Sequence, residues 1–217
     1  MDFAQARFNM IEQQIRPWNV LDQHVLDMLQ EMRREDFVPA AYRNLAFVDM
    51  EIPLGHDEVM LTPKLEARII QELGIKKTDK VLEVGTGSGY MTAMLAREAH
   101  HVYSVEIVPE FKAQAEEKLR AHGALNVTLE EGDAAHGWNR HGPYDVIVLT
   151  GSVPVLPEAF FASLNRGGRM FAIVGDAPVM EGKLITCLGE GACRTTTLFE
   201  TCVPPLRNAL QPQRFSF

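Results

Sequence analysis

Apolar residues recur along the first thirty positions at helical spacing. Between residues 3 and 32, Phe8, Ile11 and Ile15, then Val20, Val25, Leu26 and Leu29, recur at helical spacing, which predicts amphipathic helix. Pro17 lacks the amide hydrogen that a helix interior uses, so it splits this zone into two helices. Asp22, just ahead of the second stripe, is placed to cap it. From 36 to 63 the period is lost, and Pro39, Pro53, Gly55 and Pro63 punctuate a stretch of aromatic and acidic residues. It reads as an irregular segment laid across the main domain. Loops of that length are uncommon in compact domains unless they cover a site, so it is a candidate for substrate contact.

Past Pro63 the pattern changes to short apolar runs separated by helical stripes. A helix over 64–73 carries Leu65, Ile69 and Ile70 on one side. Strands are predicted at 80–84, 101–105, 127–130, 144–149, 169–174, 184–188 and 195–203, with further helices at 91–98, 110–122 and 157–164. Such alternation implies a mostly parallel sheet covered on both faces. The last two strands leave no room for a helix, and Gly189 to Ala192 looks like a hairpin connection, so the sheet should end in an antiparallel pair. The expected fold is α/β: a Rossmann-like, doubly wound sheet of seven strands with helices at its N-terminal end. Residues 1–62 would supply those helices and a cover segment, and 63–217 the ligand-binding domain, the two forming one compact unit. A chain of 217 residues, 46% hydrophobic, can bury one sizeable core.

Charge and cysteine content narrow the class. With 21 basic and 29 acidic residues the net charge is −8, which disfavours a dedicated nucleic-acid binder. No apolar run approaches the ~20 residues of a membrane span, and the N-terminus lacks the basic head and apolar stretch of a secretory signal. A cytoplasmic location is expected. The three cysteines, Cys187, Cys193 and Cys202, have no CxxC spacing and read as reduced, mostly buried thiols. His56, His100, His101, His122, His136 and His141 include no pair with the i, i+4 spacing of a helical metal site, so no metal is expected.

The sharpest local signal is Val81-Leu82-Glu83-Val84-Gly85-Thr86-Gly87-Ser88-Gly89-Tyr90, a buried strand entering a glycine turn and then a helix. In an open α/β sheet such a turn lies at the carboxyl edge, where ligands bind. The spacing GxGxG is tighter than the dinucleotide fingerprint, and Glu83 precedes it. A carboxylate there suits a ligand bearing positive charge rather than a pyrophosphate, and the amino and sulfonium groups of S-adenosylmethionine meet that description. Glu106, at the second strand's end, is placed to accept from both ribose hydroxyls. Asp133, after the third strand, is placed to accept from the adenine amino group, with Ala134 leaving room for the ring.

In order, LEVGTGSGY, SVE, GDAAHGW, YDVIVLT and LNRGGRMFAIVG resemble the protein-L-isoaspartate O-methyltransferase family. The likeness extends to Asp36-Phe37-Val38-Pro39, Ile52-Pro53-Leu54-Gly55 and Val203-Pro204-Pro205-Leu206. The resemblance implies methyl transfer from S-adenosylmethionine to the side-chain carboxylate of L-isoaspartyl residues in damaged proteins or peptides, the first step of their repair. It implies that Gly85, Thr86, Gly87, Ser88 and Gly89 line the methionine end of the cofactor, that Glu106 takes the ribose, and that Asp133 with Ala134 takes the adenine. The segment after Gly55 would close over the site.

That segment departs from the family. His56 to Thr62 is about two residues longer than the family's run, and counting back from Pro63 puts Leu61 where the family has a serine near the transferred methyl. Thr62 is the nearest hydroxyl and takes the catalytic assignment. Two alternatives stay open: a methyltransferase of the same fold acting on a small molecule or RNA, and a cofactor-binding protein without turnover. The sequence leaves monomer and homodimer equally open.

Overall fold

The computed structural model describes residues 2–189 and 192–212. Helix α1 (Phe3–Met10) continues through a π-turn, Ile11–Ile15, and a 3-10 turn, Arg16–Trp18, before α2 (Gln23–Glu31). Pro17 stands in the 3-10 turn and Asn19 closes it in the left-handed region, so the break falls where the missing amide requires it. Asp22 caps α2, accepting from the His24 amide at 2.9 Å. The apolar stripe needs one correction. Phe8 is exposed, and Arg7 turns inward with Met10 to meet Glu35 at 2.7 Å, a buried ion pair that hydrophobic spacing cannot foresee.

The stretch from 36 to 63 is less irregular than its sequence suggests. It holds 3-10 turns and an antiparallel hairpin, β1 (Ile52–Gly55) and β2 (Glu58–Met60). His56 and Asp57 both have positive φ, 54° and 62°, as a tight two-residue hairpin turn of this hand requires. Neither is glycine, and strands this short show no alternation, so the pattern was hidden.

The remaining elements are α3 (Pro63–Leu73), β3 (Lys80–Val84), α4 (Tyr90–Glu98), β4 (His101–Glu106), α5 (Pro109–Ala121), β5 (Val127–Glu131), β6 (Tyr144–Val153), α6 (Glu158–Ala162), β7 (Leu164–Asp176), β8 (Val179–Gly189) and β9 (Ala192–Thr201). The sheet order is β5-β4-β3-β6-β7-β8-β9. The first five of these strands run parallel, and β8 and β9 are antiparallel to their neighbours. Through α5 the boundaries match the apolar runs closely. Later strands are longer than expected and α6 is shorter, because Leu164 already pairs with Tyr144 and Asp176 with Val179. Glycines and polar residues inside these long strands interrupt the apolar signal. Gly189 pairs with Ala192 as a hairpin would, and the two residues between them lie outside the described ones.

The cysteine expectation is overturned. Cys187 and Cys193 face each other across β8 and β9 with Cα atoms 4.2 Å apart and form a disulfide, while Cys202 is exposed. Register, which spacing along the chain does not reveal, brings the two thiols together.

One hydrophobic cluster lies on each sheet face. Met10, Ile15 and Leu29 share the first with Leu65, Val81, Met94 and Phe171, so residues from both sides of position 62 occupy one core. Leu82, Val84, Ile147 and Phe160 belong to the second. Alternation along β3 therefore sends Glu83 to the Val81 face. Among the described residues no helix is long and apolar enough to cross a membrane.

Candidate active site

The parallel strands end on one edge, and the strand order reverses beside β3: β4 and β5 are added on one side of it, and the crossover from β5 returns to place β6 on the other. A crevice opens at such a switch point. Its floor is Gly85, Thr86, Gly87 and Ser88 with Glu106; Leu54 and Glu58 to Leu61 of the hairpin segment form one wall, and Pro204 to Arg207 form another. The turn must be glycine at Gly85: φ is 97°, and a Cβ would overlap the Thr150 hydroxyl. That hydroxyl donates toward the carbonyls of Val84 and Gly85, at 2.9 and 2.7 Å. Gly89 starts α4 against Ala115 rather than lining the crevice.

Glu106 is buried, with Oε2 accepting from the Gly87 amide at 2.7 Å and Oε1 from the Val108 amide at 2.9 Å. Each oxygen keeps acceptor capacity for a further donor. Beyond it a recess lined by Gly132, Asp133 and Ala134 continues from the same crevice, sharing Gly85, Glu106 and Leu206 with it. Asp133 accepts from the Ala135 amide at 3.0 Å and from Asn208 Nδ2 at 2.8 Å. The structure thus brings Gly85 to Ser88, Glu106, Asp133 and Ala134 together. Trp138 stays outside, its Nε1 donating to Glu130 at 2.7 Å.

Besides Gly89, two expected site residues are placed elsewhere. Glu83 is wholly buried beneath the turn, with Oε2 accepting from Thr92 at 2.5 Å and Ser104 at 2.6 Å and Oε1 unpartnered. Ser104 also meets the Thr86 hydroxyl at 2.6 Å, so Glu83 supports the turn from behind rather than facing a ligand. Thr62 is the N-cap of α3 and is not among the residues lining the crevice, whereas Leu61 is. Extended backbone at Thr62 sends successive side chains to opposite sides, so the one that lines the crevice is Leu61.

Burial pushes the Glu83 carboxyl up to about 8. The folded state then holds a proton that the unfolded state releases near the ordinary carboxylate value, so stability falls as pH rises from about 4.5 to about 8. Glu83→Gln, a mimic of the protonated form, should abolish that decline and exceed the parent at pH 9 by a few kcal/mol at most. Urea unfolding at pH 5, 7 and 9 measures it; parallel pH profiles for the two proteins would contradict it.

Sequence reasoning missed two parts of the site. The first is the strap from 203 to 208. The Ser152 amide donates to the Pro204 carbonyl at 3.0 Å, and the Leu206 amide donates to the Ser152 carbonyl at 2.9 Å. Arg207 Nε donates to Glu58 at 2.6 Å, and its guanidinium also reaches the His56 carbonyl. The strap therefore ties the sheet edge to the hairpin across the crevice. Only the VPPL block hinted at it, since a segment without regular structure has no period.

The second is a buried cation beside the cavity wall. Arg34 is 1% exposed and donates to the carbonyls of Ala46 and Leu61, at 2.8 and 2.7 Å. It also pairs with Glu66, which lines the crevice, and lies 5.0 Å from the centroid of the Tyr90 ring. Burial lowers its pKa to about 10, so the guanidinium stays charged at neutral pH.

The Protein-L-isoaspartate(D-aspartate) O-methyltransferase family matches residues 5–202. The chain belongs to this family. The protein-L-isoaspartate O-methyltransferase of Gloeobacter violaceus is 39% identical over 166 residues, 76% of this chain and 81% of that one. A solved protein-L-isoaspartate O-methyltransferase superposes with a TM-score of 0.78 at 25% identity over 92% of this chain; the match spans 65% of that longer protein. The Plasmodium falciparum beta-aspartate methyltransferase, solved in complex with S-adenosyl-L-homocysteine, has the same fold, with a TM-score of 0.78 at 18% identity, covering 95% of this chain and 99% of that one. The family uses S-adenosylmethionine as methyl donor, and the mostly parallel sheet with its antiparallel end is the shared architecture.

Proposed function

We propose that the crevice holds S-adenosylmethionine along the carboxyl edge of β3 to β5 and that the chain methylates the side-chain carboxylate of L-isoaspartyl residues in proteins or peptides. The observation that carries the reading is the cradle at Gly85 to Ser88, facing Glu106 and opening into the recess at Asp133 and Ala134. Only a glycine at Gly85 leaves that floor free of a side chain. Glu106 takes the ribose hydroxyls on the acceptor capacity its two amide contacts leave, and Asp133 with Ala134 takes the adenine.

The cofactor supplies a methyl carbon: a carboxylate oxygen of the acceptor bonds to it as the carbon–sulfur bond breaks, leaving a neutral ester and a thioether. No proton moves, so the protein's task is alignment and exclusion of water, worth on the order of 7 to 11 kcal/mol for well-positioned reactants. The apolar wall of Leu54, Met60 and Leu61, closed by the Arg207–Glu58 contact, performs it. No general base is needed for an acceptor that is already a carboxylate.

Leu61 supports a second reading, a methyltransferase of this fold with another acceptor, because an aliphatic side chain stands where the family resemblance places a hydroxyl. Transfer of labelled methyl to an isoaspartyl peptide and to its normal aspartyl counterpart separates the two. Transfer to the isoaspartyl form alone is the expected result. Tight binding of S-adenosylhomocysteine with no transfer to either peptide would leave the second reading standing.

A further inference from the structure

An amino-acid zwitterion at the end of the cofactor needs a carboxylate for its ammonium group, and Glu83 cannot serve, being sealed behind the turn by Thr92 and Ser104. Three carboxylates line the crevice: Glu58, Glu66 and Glu106. Glu58 also uses only Oε1, toward Arg207, but that pair stands at the solvent-exposed rim, the two side chains 29% and 39% exposed against 3% and 1% for Glu66 and Arg34, and both oxygens of Glu106 are held by backbone amides. Glu66 differs. Its Oε2 pairs with Arg34, and no described residue donates to Oε1. Arg34 also holds the Leu61 carbonyl, so one buried cation fixes both the carboxylate and the cavity wall next to it.

We propose that Glu66, positioned by Arg34, is the residue that recognises the ammonium group of the cofactor's methionine end. This rests on the cofactor reading above. The physical reason is that a buried guanidinium on one oxygen fixes the carboxylate's orientation, while its second oxygen offers an acceptor to a cationic donor in the crevice. Glu106, held on both oxygens, adds less, and at the exposed Glu58 water competes for the donor. Arg34 acts only through Glu66 and Leu61, as a positioning residue.

Calorimetric titration with three nucleosides tests the assignment without turnover: S-adenosylhomocysteine, its analogue lacking the α-amino group, and 5′-methylthioadenosine, which lacks the whole amino-acid end. The parent protein should prefer S-adenosylhomocysteine over the deaminated analogue by about 10- to 100-fold, the range for a hydrogen bond between charged groups. In Glu66→Gln that preference should shrink to a few-fold, with 5′-methylthioadenosine bound as in the parent. Because Glu66→Gln weakens a buried pair, Arg34→Met combined with Glu66→Leu supplies a second, folded comparison, and it should show the same loss of preference. A preference unchanged in both variants would overturn the assignment while leaving the cofactor reading intact. If the parent bound none of the three nucleosides, the cofactor reading itself would fall, and this assignment with it.

Discussion

Gly85→Ala is expected to abolish measurable binding of S-adenosylhomocysteine, weakening it by at least ~100-fold, and to lower stability as well. The added methyl meets the Thr150 hydroxyl, which cannot retreat without giving up its contacts to the Val84 and Gly85 carbonyls. A φ of 97° is also a conformation that side chains with a Cβ rarely adopt, at a cost of ~1–2 kcal/mol even before the overlap. Turn and ligand site are the same atoms here, so both effects arise together. Ligand titration followed by thermal melting separates them. A variant that bound the nucleoside as tightly as the parent would show that the turn is not the floor of the site. Gly87→Ala should be milder, because its Cβ would approach only the flexible end of Leu54, at 3.3 Å.

The second large effect is expected at Arg34. Arg34→Ala removes the partner of Glu66 and the donor to the Ala46 and Leu61 carbonyls, leaving a buried carboxylate and two carbonyls without it. Breaking a buried pair in this way costs ~3–5 kcal/mol, which for a chain of this length is a fall of roughly 10 °C in melting temperature. The contrast with the paired replacement is the sharper test. Arg34→Met with Glu66→Leu removes both charges and refills the volume, and such exchanges are often close to neutral in stability. A single substitution no more destabilising than the double one would mean that the pair is not buried as described. By comparison, truncating Arg97, which is half exposed where it pairs with Glu31, should change stability by less than ~1 kcal/mol.

These two sites mark how unevenly the sequence reports on the protein. Gly85 to Ser88, Glu106 and Asp133 were legible as neighbours because each stands at or just beyond the end of a parallel strand, and a parallel sheet sends all such strand ends to one edge. Helices α3 to α5 and strands β3 to β5 were legible for the same reason: their apolar residues repeat with the period of the element. Glu83 was misassigned although its position was right. Chain order puts it beside the turn, but strand alternation puts its side chain on the Val81 face, under α4.

The sequence by itself determined the layered α/β architecture, the glycine floor and the carboxylates at the strand ends, since these depend on local periodicity and on where strands must stop. Only the tertiary structure decided which carboxylates face the crevice, that Arg34 meets Glu66 across 32 positions, that Arg207 reaches back 149 positions to Glu58, and that Cys187 and Cys193 are joined. Such pairings depend on register and on contacts between distant segments. Neither leaves a periodic trace along a single chain, because each is fixed by how the elements pack rather than by the elements themselves.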